Sequence, residues 1–155
     1  MALSLRQISE LDLPEIQKIN DSVQQFPWSP LQIRQEYDQE CSFSKVAFDF
    51  QSDRLISKPL ILGYCFARNV GSDIEITTIG VVSSQQRRGV GKALLLDLVH
   101  SKSQNSEVFL EVSEKNRPAV EFYISLGFAT MHVRKAYYPD GSDGLSMKLN
   151  IAKPQ

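Results

Sequence analysis

Between Ile76 and Val99 the chain changes its apolar rhythm across a short basic turn that carries two glycines. Ile76-Thr-Thr-Ile-Gly-Val-Val reads as a strand, and Leu94, Leu95 and Leu98 form the buried row of a helix. Strand, turn and helix in immediate succession are the opening of a βαβ crossover, which places the chain among α/β folds. The turn, Gln85-Gln-Arg-Arg-Gly-Val-Gly-Lys92, brings backbone N–H groups together at the positive end of the helix dipole. Arg87, Arg88 and Lys92 add full charge, so the pattern suits a phosphate or pyrophosphate. Gln86 and Ala93 stand where a Walker A loop needs Gly and Ser or Thr, and Leu94 stands where a dinucleotide fingerprint needs its third Gly. Taken alone, Gly89-Val90-Gly91 reads more readily as a helix start with solvated basic side chains than as a phosphate cradle.

The rest of the chain supplies the partners of that crossover. An alternating segment, Leu3–Ile8, predicts an edge strand. Asp12 as N-cap, Pro14 in the first turn and Glu15 predict a helix with Ile16 and Ile19 facing inward. Phe26-Pro-Trp-Ser-Pro30 breaks it, and Ser29 caps a second helix with Leu31, Ile33 and Tyr37 as its apolar residues. Strands are expected at Ser44–Phe50, Leu60–Arg68 and Asp73–Val82, then at Val108–Val112 after the central helix. Asn116 caps a last helix that Gly127 stops, and strands near Thr130–Lys135 and Leu145–Leu149 close the chain. The order β-α-α-β-β-β-α-β-α-β-β combines hairpins with crossovers, which implies a mixed sheet with helices on both faces.

Composition excludes several classes. The 155 residues fit one domain, residues 1–155, and need no metal or disulfide to fold. A net charge of −1 gives no sequence-wide attraction to nucleic acid or anionic lipid. The N-terminal segment lacks the basic start and apolar run of a signal peptide, and no stretch approaches a membrane span, so a cytoplasmic protein is expected. Cys41 and Cys65 are far apart in sequence; Cys65 lies in an apolar strand and reads as a small hydrophobe, with reduced thiols expected. His100 and His132 are isolated, and no spacing supports a metal site.

Two further stretches carry candidate chemistry. In Val108–Val112, Glu111 shares a strand face with Phe109, opposite Val108, Leu110 and Val112. A carboxylate there is either a general base whose pKa partial burial raises, or a group facing solvent or a Lys. In Asn116–Phe128, Ala119, Phe122, Tyr123 and Leu126 make a helical stripe. Tyr123 within it reads as a core aromatic with a satisfied hydroxyl, and Asn116 as a sufficient cap.

Gln86-Arg-Arg-Gly-Val-Gly91 resembles the Q/R-x-x-G-x-G/A motif of the GCN5-related N-acetyltransferases. Residues 116–128, N-R-P-A-V-E-F-Y-I-S-L-G-F, resemble a second motif of that superfamily at the expected distance. Within it, Phe26-Pro-Trp-Ser29, Leu110-Glu-Val112, Tyr137-Tyr-Pro139 and Asp143-Gly-Leu-Ser-Met147 are similar to bacterial enzymes that acetylate the N-terminal alanine of a small-subunit ribosomal protein. Gly144 replaces the usual Ala of that closing motif, and Val82-Ser-Ser-Gln85 departs from the frequent D-P-x-Y/F.

The resemblance implies a sheet whose parallel fourth and fifth strands splay apart, with acetyl-CoA as co-substrate. Its pyrophosphate is expected on Arg87, Arg88, Gly89, Val90, Gly91 and Lys92. Ile79, Gly80 and Val81 are expected along its pantetheine arm, and Asn116 in contact with it. Glu111 is the implied base and Tyr123 the acid that protonates the leaving thiolate. Tyr137 and Tyr138 are implied peptide contacts; Trp28 reads evenly as a peptide contact or a core anchor. No metal, nucleic acid or membrane enters this expectation, and the chain is a monomer or weak dimer. A lysine or small-amine acetyltransferase and a silent acyl-CoA sensor remain the alternatives.

Overall fold

A computed structural model describes residues 3–39, 43–49, 60–101 and 106–151. The elements are β1 (Leu3–Gln7), α1 (Leu13–Val23), α2 (Pro30–Tyr37), β2 (Lys45–Asp49), β3 (Leu60–Val70), β4 (Asp73–Val81), α3 (Val90–His100), β5 (Glu107–Ser113), α4 (Arg117–Ser125), β6 (Ala129–Arg134) and β7 (Gly144–Asn150). Their order matches the sequence expectation; short 3-10 turns at Glu10–Asp12 and Ser83–Gln85 are additions. The fold is mixed α/β, with hydrogen-bonded strand order β1-β2-β3-β4-β5-β7-β6. The β1–β2, β2–β3, β5–β7 and β6–β7 pairs are antiparallel, and β4–β5 is parallel. Cys41 and the strand end expected at Phe50 lie outside the described residues. No helix of the described residues is long and apolar enough to cross a membrane.

Contacts along the chain group it into two compact units, one of residues 1–68 and 78–101, the other of residues 69–77 and 102–155. The first holds a core of Ile8, Ile16, Ile19, Ile33, Val46, Tyr64 and Phe66, against which Leu13, Val23, Trp28 and Tyr37 pack. Two sequence expectations change here. Leu31 is 65% exposed, so α2 buries Ile33 without it. Asp12 stands at the N-cap of α1, as expected, but its side chain makes no capping bond there. Its carboxylate instead accepts the Ser9 N–H at 2.8 Å and both terminal nitrogens of Arg6 at 2.7 and 2.8 Å, because the 3-10 turn points it back toward β1. Ser29 behaves as expected: its Oγ accepts the Gln32 N–H while the Gln32 side chain accepts the Ser29 N–H, a reciprocal cap. Cys65 is a buried thiol of β3, its Sγ 4.0 Å from the Phe66 carbonyl.

In the second unit the parallel ladder is short, with Ile74 opposite Val108 and Glu75 opposite Phe109. The antiparallel β5–β7 ladder is longer, running from Glu107↔Asn150 to Ser113↔Gly144. It presents Glu111 directly opposite Ser146. Helix α4 packs on β5 and buries Tyr123. Its end satisfies two carbonyls: Phe128 N–H donates to Tyr123 and Gly127 N–H to Ile124, with Gly127 at φ +103. This is the double bond pattern that a glycine past the helix end makes available.

Candidate active site

In the first unit the basic turn has the backbone geometry of an anion nest. Gly89 is left-handed at φ +87 and ψ 5, and Arg87 joins it at φ +64. Positive φ at two residues out of three curls neighbouring N–H groups toward one side. Gly89 is the N-cap of α3, so no side chain caps the helix. The leading N–H groups of Val90, Gly91 and Lys92 therefore keep their capacity for a ligand. Arg87, Arg88 and Lys92 are exposed beside them, whereas Val90 is buried and anchors the turn. The arrangement fits a pyrophosphate: dipole, convergent N–H groups and three cations sit in six residues.

Ile79, Gly80 and Val81 lead into this turn. A Cβ on Gly80 would meet the Tyr64 ring at 2.7 Å, so the close stacking of that ring requires glycine. The Ile79 carbonyl accepts the Gln24 side-chain amide at 2.7 Å, and the same nitrogen lies 3.1 Å from the Tyr64 hydroxyl. The Val81 carbonyl accepts the Gln86 amide at 3.0 Å. Trp28 is half-buried against the core. Its N–H donates to Asn20 Oδ1 at 3.1 Å, and its carbonyl accepts Asn20 Nδ2 at 2.9 Å. Core anchoring of Trp28 is thus visible in the contacts. Asn20 and Gln24, polar residues at the end of α1, escape the sequence reading because nothing in their local pattern separates them from solvated side chains.

The second unit holds the ionisable cluster. Glu111 Oε1 accepts the Ser146 hydroxyl at 2.8 Å and forms an ion pair with the Arg134 guanidinium, its Nε 3.0 Å away. Glu111 Oε2 is buried and has no hydrogen-bond partner among the described residues. Such an acceptor is costly unless a ligand or proton donor completes it. Glu111 is thus half-buried, with Arg134 rather than a Lys as its cation. It is a carboxylate fixed by one oxygen and open at the other. Tyr138 lies close enough to feel its charge: burial first, then Glu111, then Tyr137 push the Tyr138 hydroxyl up to about 12. The Arg134 guanidinium also lies 5.3 Å over the Tyr137 ring, which meets Tyr138 edge-on at 5.1 Å.

The turn that carries both tyrosines is built from side chains. Asp143 accepts the Ala136 N–H at 2.9 Å and Lys135 Nζ at 3.1 Å, contacts that hold its carboxyl below the usual range. The first of these bonds fastens Ala136 at φ +51, a left-handed geometry that alanine resists. Ser142 Oγ shares a buried 2.8 Å bond with Ser113 at the end of β5. Gly144 leaves room for Tyr137, whose Cδ1 lies 3.0 Å from where a methyl would stand.

Tyr123 is 7% exposed and touches Phe122 and Phe128, with ring centroids 5.4 and 5.7 Å away. Asn116 is exposed, and its Oδ1 accepts the Ala119 N–H at 3.4 Å as the cap of α4. Glu111, Tyr137 and Tyr138 thus share one neighbourhood with Arg134 and Ser146, two residues that sequence reasoning missed. The β5–β7 register sets Ser146 opposite Glu111, a pairing across 35 residues that alternation within either strand does not reveal.

Comparison with known proteins follows this geometry. Residues 6–128 match the model described as the acetyltransferase (GNAT) family. The chain is similar to the [ribosomal protein bS18]-alanine N-acetyltransferase of Salmonella typhimurium, at 28% identity over 94% of this chain and 95% of that one. It is also similar to the N-alpha-acetyltransferase RimI of Mycobacterium tuberculosis, at 32% identity over 61% and 62% of the two chains. The crystal structure of the Escherichia coli ribosomal-protein-S18-alanine N-acetyltransferase superposes with a TM-score of 0.82 at 25% identity, covering 99% of this chain and 97% of that one.

Proposed function

Because the chain belongs to the acetyltransferase (GNAT) family, we propose that it transfers the acetyl group of acetyl-CoA to the α-amine of a protein N-terminus. The N-terminal alanine of a small-subunit ribosomal protein is the preferred acceptor. The observation that carries this reading is the buried, unpartnered Oε2 of Glu111, whose other oxygen is already fixed. The similarity to alanine N-acetyltransferases over nearly the full chain supports the choice of acceptor.

In this reading the turn of residues 87–92 holds the diphosphate of acetyl-CoA, Ile79, Gly80 and Val81 run along its pantetheine arm, and Asn116 contacts it. Glu111 takes a proton from the substrate ammonium, leaving a neutral amine. The amine lone pair attacks the thioester carbonyl carbon, and the tetrahedral intermediate carries an oxyanion that a backbone N–H steadies. Collapse breaks the C–S bond and expels the thiolate, which Tyr123 protonates; the attacking nitrogen releases its second proton to solvent, and the Tyr123 phenolate regains one from there. Tyr137 and Tyr138 contact the incoming peptide; the about-12 hydroxyl of Tyr138 remains a hydrogen-bond donor throughout the neutral range. Trp28, packed on the first unit's core, is a further candidate peptide contact. The reaction consumes one acetyl-CoA and needs no acyl-enzyme.

Purified chain, acetyl-CoA and short peptides test the assignment. Peptides with a free N-terminal Ala are expected to gain one acetyl group at the α-amine, and peptides blocked there to gain none. Acetylation of blocked peptides at Lys would replace the proposal with a lysine acetyltransferase. In cells lacking the chain, mass spectrometry of protein N-termini is expected to show one acetylated Ala terminus lost.

A further inference from the structure

We infer that Arg134 is a positioning residue of the reaction: together with Ser146 it locks Glu111 Oε1, so that Oε2 alone receives the proton, and it joins this carboxylate to the peptide-contacting Tyr137. The inference rests on Glu111 being the base.

The geometry of one carboxylate carries it. A free carboxylate rotates about its terminal bond and presents two equivalent oxygens. Here Oε1 is doubly engaged, by a hydroxyl bond from β7 at 2.8 Å and an ion pair with a guanidinium nitrogen of β6 at 3.0 Å. Oε2 is shielded from solvent and has no hydrogen-bond partner among the described residues. A charge-assisted bond on one oxygen fixes the plane of the group and selects the other for chemistry. Ser146 is buried and cannot move away, whereas the Arg134 side chain is 51% exposed. The same guanidinium that pairs with Glu111 lies 5.3 Å over the Tyr137 ring, so one side chain touches both the carboxylate and the ring. Lysine keeps the charge but has no plane to lay over the ring.

Steady-state kinetics of the full chain with an N-terminal Ala peptide test this, using R134Q, R134K, S146A, E111Q and the double variant E111Q/R134Q. R134Q is expected to lower kcat about tenfold or more, as loss of a bond to a charged group does. The KM for acetyl-CoA should stay unchanged, and R134K should recover only part of the turnover. Within the E111Q background R134Q should cost nothing further in kcat, because there is no ionised base left to align. Independent, multiplicative losses in the double variant, or R134Q turnover within twofold of wild type, overturn the inference while leaving Glu111 as base. Full turnover of E111Q itself overturns the base assignment and the inference with it. Should R134Q fold poorly, S146A supplies the second arm: loss of the other Oε1 partner is expected to reduce kcat in wild type and not in E111Q. An S146A effect that persists in E111Q counts against the clamp.

Discussion

Tyr123 and Tyr138 illustrate how two hydroxyls of the same chemistry receive different work from their surroundings. Tyr123 is enclosed by Phe122 and Phe128, and its own carbonyl is held by the helix-ending bond from Phe128. A ring fixed on all sides is a poor surface for a variable peptide and a good fixed proton donor for a leaving group that always departs from one place. Tyr123→Phe is therefore expected to lower turnover by about two orders of magnitude, the usual worth of a positioned acid, with acetyl-CoA affinity retained. Calorimetric titration with acetyl-CoA beside turnover measurements checks this, and unchanged turnover removes the acid role. Tyr138 is different: desolvation and the charge of Glu111 raise its hydroxyl to about 12. In a spectrophotometric titration, the difference between wild type and Tyr138→Phe is expected to show no phenolate near pH 10, where an ordinary tyrosine is half ionised. Appearance of that phenolate near pH 10 would mean that Glu111 and Tyr138 do not share an environment.

At the scale of elements, glycine substitutions separate strain from crowding. Gly89 carries φ +87 in open space, so Gly89→Ala adds only the left-handed penalty of about 1–2 kcal/mol. Gly80 has a hard neighbour instead, the Tyr64 ring at 2.7 Å from the would-be methyl. Gly80→Ala must move either β4 or a fully buried aromatic, an overpacking cost of about 1–3 kcal/mol that also disturbs the backbone leading into the turn. Denaturant melts should show both losses. Acetyl-CoA binding should fall in both variants, since one misaligns the nest and the other the strand that feeds it.

The junction of β1 and α1 adds a pH-dependent term. Burial raises the Asp12 pKa, but the Arg6 and Ser9 bonds outweigh it and hold the carboxyl below its ordinary value. A lowered folded value means stability that is present above the unfolded pKa and lost as acid takes pH down through the folded one. Asp12→Asn is expected to cost about 1–3 kcal/mol at pH 7, as a hydrogen-bonded charge does. The gap between its melting temperature and that of wild type should close below pH 4. A gap independent of pH would assign the effect to packing. Elements of this kind were legible in advance where the signal is local: Ser29 with Gln32, Asn116, and Gly127 all act within four residues of themselves. Asp12 takes the N-cap position that the sequence predicts, but its side chain turns to Arg6, across a turn that helix rules do not describe. The Gln24–Ile79 and Ser146–Glu111 bonds bridge 55 and 35 residues, and no periodicity in the chain encodes such meetings.

For the molecule as a whole, 17 basic and 18 acidic side chains leave almost no net charge, and what matters is where the basic ones gather. Arg87, Arg88 and Lys92 stand together at the uncapped start of α3, so their charge is committed to an anion that the nest can hold. A surface that bound ribosomal RNA would need many more phosphate contacts spread over one face. Six to ten of them would make affinity fall about 10³–10⁵-fold between about 50 and 200 mM salt. The chain proposed here reads a free N-terminal tail and is expected to show no such dependence. Cosedimentation with intact ribosomes should be weak at low salt and nearly flat as salt rises. Acetylation of the isolated peptide over the same range should change only through acetyl-CoA, with its KM rising while the peptide KM stays constant. Tight, steeply salt-sensitive ribosome binding would instead mean that the acceptor is met on the assembled particle, and that basic residues beyond the nest take part in finding it.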